Sequence, residues 1–91
     1  MEALILESTS LTPGIRFDAE SGLFELKGRS IPENSLEFYQ PIYEWLDAYL
    51  ENPKEKTVVN VQFDYFNTSS SKCILDILKR IDRLEDMDKD V

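Results

Sequence analysis

The residues best suited to chemistry form one short run, Asn67-Thr68-Ser69-Ser70-Ser71, followed by Lys72. A hydroxyl group can accept a phosphoryl group from a kinase, which adds about −1.5 to −2 charges at neutral pH. A structural role is the alternative, because Asn, Ser and Thr are preferred as caps of helix N termini. The residue types alone therefore leave two hypotheses open, a phosphorylation site and a well-capped helix.

Two elements of different hydrophobic period flank this hydroxyl run. Residues Thr57–Phe66 alternate as in a strand, with Thr57, Val59, Val61, Phe63 and Tyr65 predicted on one face. After the run, apolar residues recur every three or four positions, which predicts a helix from about Ser69 to Asp86. The run is therefore a strand-to-helix corner, where free N–H groups and the positive end of the helix dipole favour a phosphate.

The remaining sequence predicts a small mixed sheet. A short edge strand, a hairpin and a long helix are predicted over Ala3–Leu6, Ile15–Asp18 with Leu23–Gly28, and Leu36–Leu50. Asn34, with Glu37 three residues later, has the spacing of a capping box, and Ser30 with Glu33 competes for that role. The strand-helix-strand unit that follows requires a right-handed parallel crossover. We therefore expect one α/β (α+β-like) domain over residues 1–91, with about four strands, two long helices and the order β-β-β-α-β-α.

Two finer expectations concern the helices. The apolar stripe of the first helix is predicted to include Leu36, Tyr39, Ile42, Tyr43, Leu46, Tyr49 and Leu50. In the second helix, Asp76 and Arg80 are four residues apart and are expected to form a surface ion pair.

The charge balance limits the partners. Lys and Arg total 10 and Asp and Glu total 18, a net charge of −8, which argues against nucleic acid or an anionic membrane as the main partner. The N terminus lacks the basic region and long apolar run of a secretion signal, and no stretch approaches the roughly 18 apolar residues of a membrane span. Protein partners and a cytoplasmic location are therefore expected.

Enzymatic hypotheses find little support in the residue types. The chain has no histidine, so the usual general base and the commonest metal ligand are absent. Cys73 has no histidine to activate it and is predicted to be a small core residue. The carboxylates show no catalytic or metal-binding spacing. The sequence therefore predicts a non-catalytic protein without metal or cofactor.

Aromatic residues surround the first helix and suggest a second function. Phe38, Tyr39, Tyr43, Trp45 and Tyr49 are distributed around it, so they form either the core or a docking face for a partner. The second interpretation gives an alternative hypothesis, a constitutive protein-interaction module that docks through Tyr43 and Trp45. The hydroxyl run would then be only a helix cap.

Three segments occur in an order that resembles the SiaC family of bacterial regulatory phosphoproteins. They are Ile31–Ser35, Tyr43–Leu50 and Phe66–Lys72. The resemblance implies the anti-anti-sigma, or STAS-like, fold and makes Thr68 the phospho-acceptor, with Ser69 and Ser70 as alternatives. It also implies a phosphate environment formed by Asn67, Ser71 and Lys72. Candidate partner-binding residues are Pro32, Glu33, Asn34, Ser35, Tyr43 and Trp45.

The same resemblance implies partners. They are a Ser/Thr kinase of the SiaB type, a PP2C-type phosphatase, and a diguanylate cyclase activated by the unphosphorylated form, in cyclic-di-GMP signalling and biofilm formation. Family members continue into a further strand and helical segment, whereas this sequence stops at Asp90-Val91. The resemblance therefore implies an open sheet edge, and edges of this kind can drive dimerisation.

Overall fold

The computed structural model describes the whole chain, residues 1–91, as one mixed sheet with two helices. The elements are β1 (Leu4–Leu6), β2 (Gly14–Asp18), β3 (Leu23–Ser30), α1 (Ser35–Tyr49), β4 (Val58–Phe66) and α2 (Thr68–Asp86). The predicted order β-β-β-α-β-α is confirmed. No helix is long and apolar enough to cross a membrane.

The four strands are arranged in the order β1-β2-β3-β4. β1, β2 and β3 are antiparallel neighbours, and β3 pairs in parallel with β4 after the crossover through α1. The β2–β3 turn needs Gly22, which has φ 74° and lies so close to Lys56 that a Cβ atom would be 2.4 Å from the Lys56 carbonyl oxygen. The register of β3 against β4 shifts by one residue after Gly28, which increases the local twist. The mixed sheet confirms the sequence prediction.

The core lies between α1, α2 and one face of the sheet. β2 contributes Ile15 and Phe17 to this face and β3 contributes Phe24 and Leu26, all at most 1% exposed. Burial of each such side chain contributes about 1.5–3 kcal/mol. The alternation of these strands thus directs one face into the core and leaves the other, with Arg16 among its residues, in solvent.

α1 begins as predicted, because the Asn34 Oδ1 atom accepts a hydrogen bond from the Glu37 N–H at 3.2 Å. The helix continues through Pro41. Its apolar stripe is buried except at Leu36, which is 69% exposed, so the prediction for Leu36 is wrong. Leu36 lies in the first turn, at the edge of the stripe, where the core has not yet begun.

The first turns of α2 pack against α1 through specific polar contacts. The Tyr43 hydroxyl donates to the Cys73 carbonyl oxygen at 3.0 Å. Arg80 donates from Nε to the Asp47 carboxylate at 3.0 Å, and its guanidinium lies 4.3 Å from the centre of the Tyr43 ring. The expected Asp76–Arg80 pair is therefore wrong, because Arg80 finds both a carboxylate and an aromatic face on the neighbouring helix. Cys73 is 5% exposed, as predicted for a small core residue.

β4 is the edge strand on the far side of the sheet. It begins at Val58, one residue later than predicted, and the buried Thr57 just before it lies 2.8 Å from the Tyr49 hydroxyl through its own Oγ1. Of the five residues predicted to share one face of this strand, Thr57 is buried, Val59 and Phe63 are half-buried, and Val61 and Tyr65 are 46% and 56% exposed.

Candidate functional site

Two strand-to-helix corners meet at one end of the sheet. β3 and β4 are parallel neighbours, so their C-terminal ends lie side by side, and each is followed by a helix. The Asn67 N–H donates to the Ser30 carbonyl oxygen at 3.0 Å, which joins the β4–α2 corner to the end of β3. The hydroxyl run at residues 67–71 therefore lies against residues from the other corner.

The innermost hydroxyl of the run belongs to Ser70, which is fully buried. Its Oγ donates to the Ser30 carbonyl oxygen at 3.0 Å and accepts from the Ser30 hydroxyl at 2.8 Å. The Tyr39 hydroxyl lies 2.6 Å from the Ser30 Oγ. Because the Ser30 proton is already directed to Ser70, Tyr39 is the donor in this contact. Burial raises the pKa of the Tyr39 phenol, which keeps that proton in place.

The cap of α2 is Asn67. Its Oδ1 accepts from the Ser70 N–H at 2.9 Å and from the Ser69 hydroxyl at 3.2 Å. The Ser69 Oγ also lies 2.7 Å from the Ser35 Oγ at the start of α1. A cap of this kind contributes about 0.5–2 kcal/mol. The structure thus assigns the capping role to Asn67 and ties Ser69 to both corners.

Thr68 differs from the other hydroxyl residues of the run. It is the first residue of α2 and is exposed, and none of the side-chain hydrogen bonds at this corner uses its hydroxyl group. Ser71, by contrast, donates its hydroxyl to the Thr68 carbonyl oxygen at 2.6 Å. Of the four consecutive hydroxyl residues, only Thr68 therefore presents an unbonded hydroxyl to solvent.

The surroundings of Thr68 suit an anion. The first backbone hydrogen bond of α2 runs from the Ser71 N–H to the Asn67 carbonyl, so the N–H groups of Thr68 and Ser69 precede the helical ladder and remain available. Lys72 is exposed one turn further on and forms no ion pair within the chain. Partial and full positive charges thus lie within reach of a group attached to Thr68.

The predicted partner-binding residues separate into exposed and packed groups. Glu33 and Asn34 are exposed beside the hydroxyl run, whereas Pro32 and Ser35 are buried. Tyr43 is 6% exposed, and Trp45 is half-buried with its ring 5.3 Å from that of Phe24. The Trp45 Nε1 also donates to the Glu2 carbonyl oxygen at 2.9 Å. The two aromatic side chains therefore belong mainly to the core and its border.

Sequence reasoning missed the part of the site that Ser30 and Tyr39 contribute. Ser30 and Ser70 are separated by 40 residues in the chain, and no local pattern links them. The available signal is weak: Ser30 is a polar residue at the end of a strand that otherwise alternates, directly before the first corner. The structure contains no group of three or more His, Cys, Asp or Glu side chains that could hold a metal ion.

Fold and site together define a small α+β domain that presents a free threonine hydroxyl at a helix N terminus, beside a closed network of buried hydroxyls. Residues 6–91 match the family described as SiaC family regulatory phosphoprotein. The chain therefore belongs to the SiaC family. The family prediction made from the three ordered segments is confirmed.

A curated relative is similar in sequence. An uncharacterized protein of Pseudomonas aeruginosa strain UCBPP-PA14 is 33% identical over 78 residues, which cover 86% of this chain. The same match covers 62% of that curated relative, so this chain spans less than two thirds of its length.

Solved structures agree in fold as well. SiaC of Pseudomonas aeruginosa is 30% identical, with a TM-score of 0.92 over 100% of this chain and 75% of the solved one. Apo-SiaC from the same organism gives 29% identity and a TM-score of 0.90 over the same shares of the two chains. A third structure holds the diguanylate cyclase SiaD in complex with its activator SiaC; it gives 29% identity and a TM-score of 0.86 over 97% of this chain and 72% of the solved one.

Proposed function

We propose that this chain is a phosphorylation-controlled binding protein and that the Thr68 hydroxyl is its phospho-acceptor. The family is one of regulatory phosphoproteins. The observation that carries the assignment is the contrast within the hydroxyl run, where Ser69, Ser70 and Ser71 are hydrogen-bonded within the chain and Thr68 is exposed and unbonded. A kinase can reach Thr68 without breaking an internal hydrogen bond, which makes it the preferred acceptor over Ser69 and Ser70.

The phosphoryl transfer is carried out by a partner kinase. The Thr68 Oγ1 attacks the γ-phosphorus of ATP, the bond from that phosphorus to the ADP oxygen breaks, and a base of the kinase takes the hydroxyl proton. The new phosphate adds about −1.5 to −2 charges. The free N–H groups of Thr68 and Ser69, with the Lys72 ammonium group, stabilise that charge.

We assign the partners by resemblance to the family. The kinase is of the SiaB type, a PP2C-type phosphatase removes the phosphate, and the bound target is a diguanylate cyclase, in line with the SiaD complex of the solved relative. We place the contact surface on Thr68, Glu33 and Asn34, which are exposed at the two joined corners. A phosphate on Thr68 changes the charge and shape of this surface, and by resemblance to the family we propose that the unphosphorylated form is the one that binds the cyclase. A cytoplasmic location fits this proposal, because the kinase needs ATP.

The constitutive module that docks through α1 receives less support. Tyr43 and Trp45, its predicted anchors, are engaged with Arg80, Phe24 and the chain near Glu2. A partner that used them would have to displace these internal contacts first. A partner that binds Thr68, Glu33 and Asn34, which are exposed at the two corners, would not have to displace such contacts.

The acceptor is tested by incubating the chain with ATP and a SiaB-type kinase and locating the phosphate by peptide mass spectrometry. We expect phosphate on Thr68, none after Thr68→Ala, and retention on residue 68 after Thr68→Ser. Ser69→Ala is the matched control and leaves labelling intact. Because Asn67 is the helix cap, Thr68→Ala should change the free energy of unfolding by no more than about 0.5 kcal/mol. Phosphate on Ser69 or Ser70 in the unchanged chain would contradict the proposal.

The effect of phosphorylation on binding is tested by calorimetry, which compares how the unphosphorylated and the Thr68-phosphorylated chain bind a diguanylate cyclase. We expect the unphosphorylated form to bind and the Thr68-phosphorylated form to lose affinity by tenfold or more, a difference of about 1.4 kcal/mol. Glu33→Lys alters the proposed contact surface and should weaken binding. Lys27→Glu, on the solvent face of the sheet, is the control and should not. Equal affinity of the two forms would remove the switch while leaving the phosphorylation site in place.

A further inference from the structure

A groove lies between β1 and the first two turns of α1. Its volume is about 460 Å³, within the range of ligand pockets. Six residues line it: Leu6, Glu33, Asn34, Glu37, Phe38 and Pro41. The groove lies on the β1 side of the sheet, at the opposite edge from β4 and from the bridge between Lys56 and Asp90. It is therefore formed by β1, the β3–α1 corner and α1.

The floor of this groove is apolar and consists of Leu6, Phe38 and Pro41. Leu6 and Phe38 pack against the hydrophobic core, yet both are only half-buried. Pro41 is exposed three residues after Phe38, on the same side of the helix. An apolar side chain of a partner that covers this floor would remove apolar area from water, which stabilises a complex.

The rim of the groove, formed by Glu33, Asn34 and Glu37, carries negative charge. Glu33 and Glu37 are exposed, and neither forms an ion pair within the chain. Asn34 is directed towards Glu37, since its Oδ1 accepts from the Glu37 N–H and its Nδ2 lies 3.4 Å from the Glu37 Oε2. α1 contains no Lys or Arg. A cation supplied by a partner therefore finds carboxylates here that no cation of this helix neutralises.

Pro41 leaves a further acceptor beside the same rim. It lies inside α1, where a proline has no N–H to donate to the carbonyl oxygen four residues earlier. The Glu37 carbonyl oxygen therefore lacks its usual helical donor. Together with the Glu37 carboxylate it matches a group that carries several N–H donors, and the guanidinium of Arg and the ammonium of Lys are such groups.

Phosphorylation of Thr68 would strengthen the attraction of this rim for cations. The Ser35 Oγ, beside the groove, lies 2.7 Å from the Ser69 Oγ, beside Thr68. Asn34 and Thr68 are each one residue, about 3.8 Å between Cα atoms, from this pair. The phosphate thus lies within about two Debye lengths of the rim at physiological salt, where one Debye length is about 8 Å. Negative charge at residue 68 therefore adds to the attraction that the rim exerts.

The sign of this effect distinguishes the proposed partners. The kinase acts on the unphosphorylated chain, and the cyclase is proposed to bind it. The phosphatase, by contrast, must bind the phosphorylated chain and release the product. A basic segment in the groove gains attraction when the phosphate is present and loses it when the phosphate is removed. Such a segment therefore suits the phosphatase.

From these observations, and resting on the function proposed above, we infer that the groove docks a basic segment of the phosphatase. An apolar side chain of this segment lies on the floor, and Arg or Lys side chains beside it bind the rim. Glu33 and Asn34 also belong to the contact surface proposed for the cyclase. The phosphatase and the cyclase therefore bind this chain alternately.

A peptide titration tests the groove on the unphosphorylated chain, independently of the acceptor. The probe is a synthetic amphipathic peptide of Leu and Arg, and its binding is followed by NMR of the isotope-labelled chain. We expect amide shifts at Leu6, Glu37 and Phe38, and an affinity at least about threefold lower in Glu37→Lys. Glu51→Lys makes the same charge change at an exposed position beyond α1 and is the matched control, with a smaller loss. The same peptide with Glu in place of Arg should not bind.

Dephosphorylation kinetics test the occupant. The chain phosphorylated on Thr68, as verified by peptide mass spectrometry, is the substrate of a PP2C-type phosphatase, and released inorganic phosphate is measured. We expect Glu37→Lys to raise KM at least about fivefold with kcat unchanged, because docking stabilises the bound substrate and the transition state equally. Pro41→Lys should act in the same way and Glu51→Lys should not. Circular dichroism verifies that each variant is folded.

The outcomes separate the groove, its occupant and the acceptor. Peptide shifts spread over the whole surface, or an equal loss of affinity in Glu51→Lys, would overturn the groove as a docking site. An unchanged KM in Glu37→Lys, or an equal loss in its phosphorylation by the kinase, would overturn the phosphatase as occupant. Absence of phosphate on Thr68 would overturn the proposed function and this occupant with it, while the peptide titration would still decide whether the groove binds a basic segment.

Discussion

The two sides of α2 differ in how they are used. The inner side, formed by Ser70, Cys73, Ile77, Ile81 and Leu84, is buried. The outer side carries exposed residues that include Thr68, Lys72, Leu75 and Leu78. One helix thus separates the groups that hold the fold from those that can meet a kinase or a partner. Because the two sides are separate, we expect that exposed positions of α2 can change in charge or shape while the fold is kept.

The largest effect is expected from truncation on the inner side. Ile77 is 0% exposed, so Ile77→Ala should lower the free energy of unfolding by about 2–5 kcal/mol through lost burial and a cavity. Leu78→Ala, its neighbour on the outer side at 41% exposure, should cost less than about 1 kcal/mol. Urea unfolding followed by circular dichroism measures both. Equal losses would show that the two sides are not distinct.

A smaller loss of stability is expected when a hydrogen-bonded hydroxyl is removed from the inner or the outer side of α2. Ser70→Ala removes a buried hydroxyl that contacts Ser30 twice, and should cost about 1–3 kcal/mol because the Ser30 groups lose their partner. Ser69→Ala removes an exposed hydroxyl and should cost less than about 1 kcal/mol. Thermal unfolding followed by circular dichroism compares the variants. If Ser69→Ala lowered the free energy of unfolding more than Ser70→Ala, the Ser69 hydroxyl would be the more important one for stability, which would contradict this prediction.

The smallest expected change in stability appears only at alkaline pH. Burial raises the pKa of the Tyr39 and Tyr43 phenols, so the native chain keeps protons that the unfolded chain releases near pH 10. Their stabilising contribution is therefore complete below about pH 10 and is lost as the pH rises above it. Urea unfolding at increasing pH should show this decline, and Tyr43→Phe should make it shallower. Tyr65→Phe, at an exposed position, is the control; the same change of slope in it would contradict the assignment.

The fold was largely predictable because its signals are local. The alternation of β4, the Asn34 cap and the change of period after the hydroxyl run each depend on residues close in sequence. The parallel crossover followed from the order of the elements. The corner that carries Thr68 could therefore be located, and the resemblance singled out Thr68 within it.

Contacts between residues far apart in the chain could not be predicted from these local signals. The bonds that distinguish Ser70 from Thr68 come from Ser30, on a different strand. Arg80 was expected to bond within its own helix and instead contacts Asp47 and Tyr43 on α1. Val61 is 46% exposed although Val59 and Phe63, two residues away on either side, are half-buried, and alternation does not encode this difference. In each case the deciding neighbour lies far away in the chain.

The aromatic contacts of α1 also provide an optical probe. Trp45 is the only tryptophan, and its ring stacks on Tyr49 at 5.6 Å and meets Phe17 at the same distance. Its fluorescence therefore reports whether α1 is packed against the sheet. Trp45 lies on α1 above β2 and β3, whereas Thr68 lies at the second corner. Emission from this one indole can thus follow unfolding while phosphorylation is recorded by other means, with no label added to the protein.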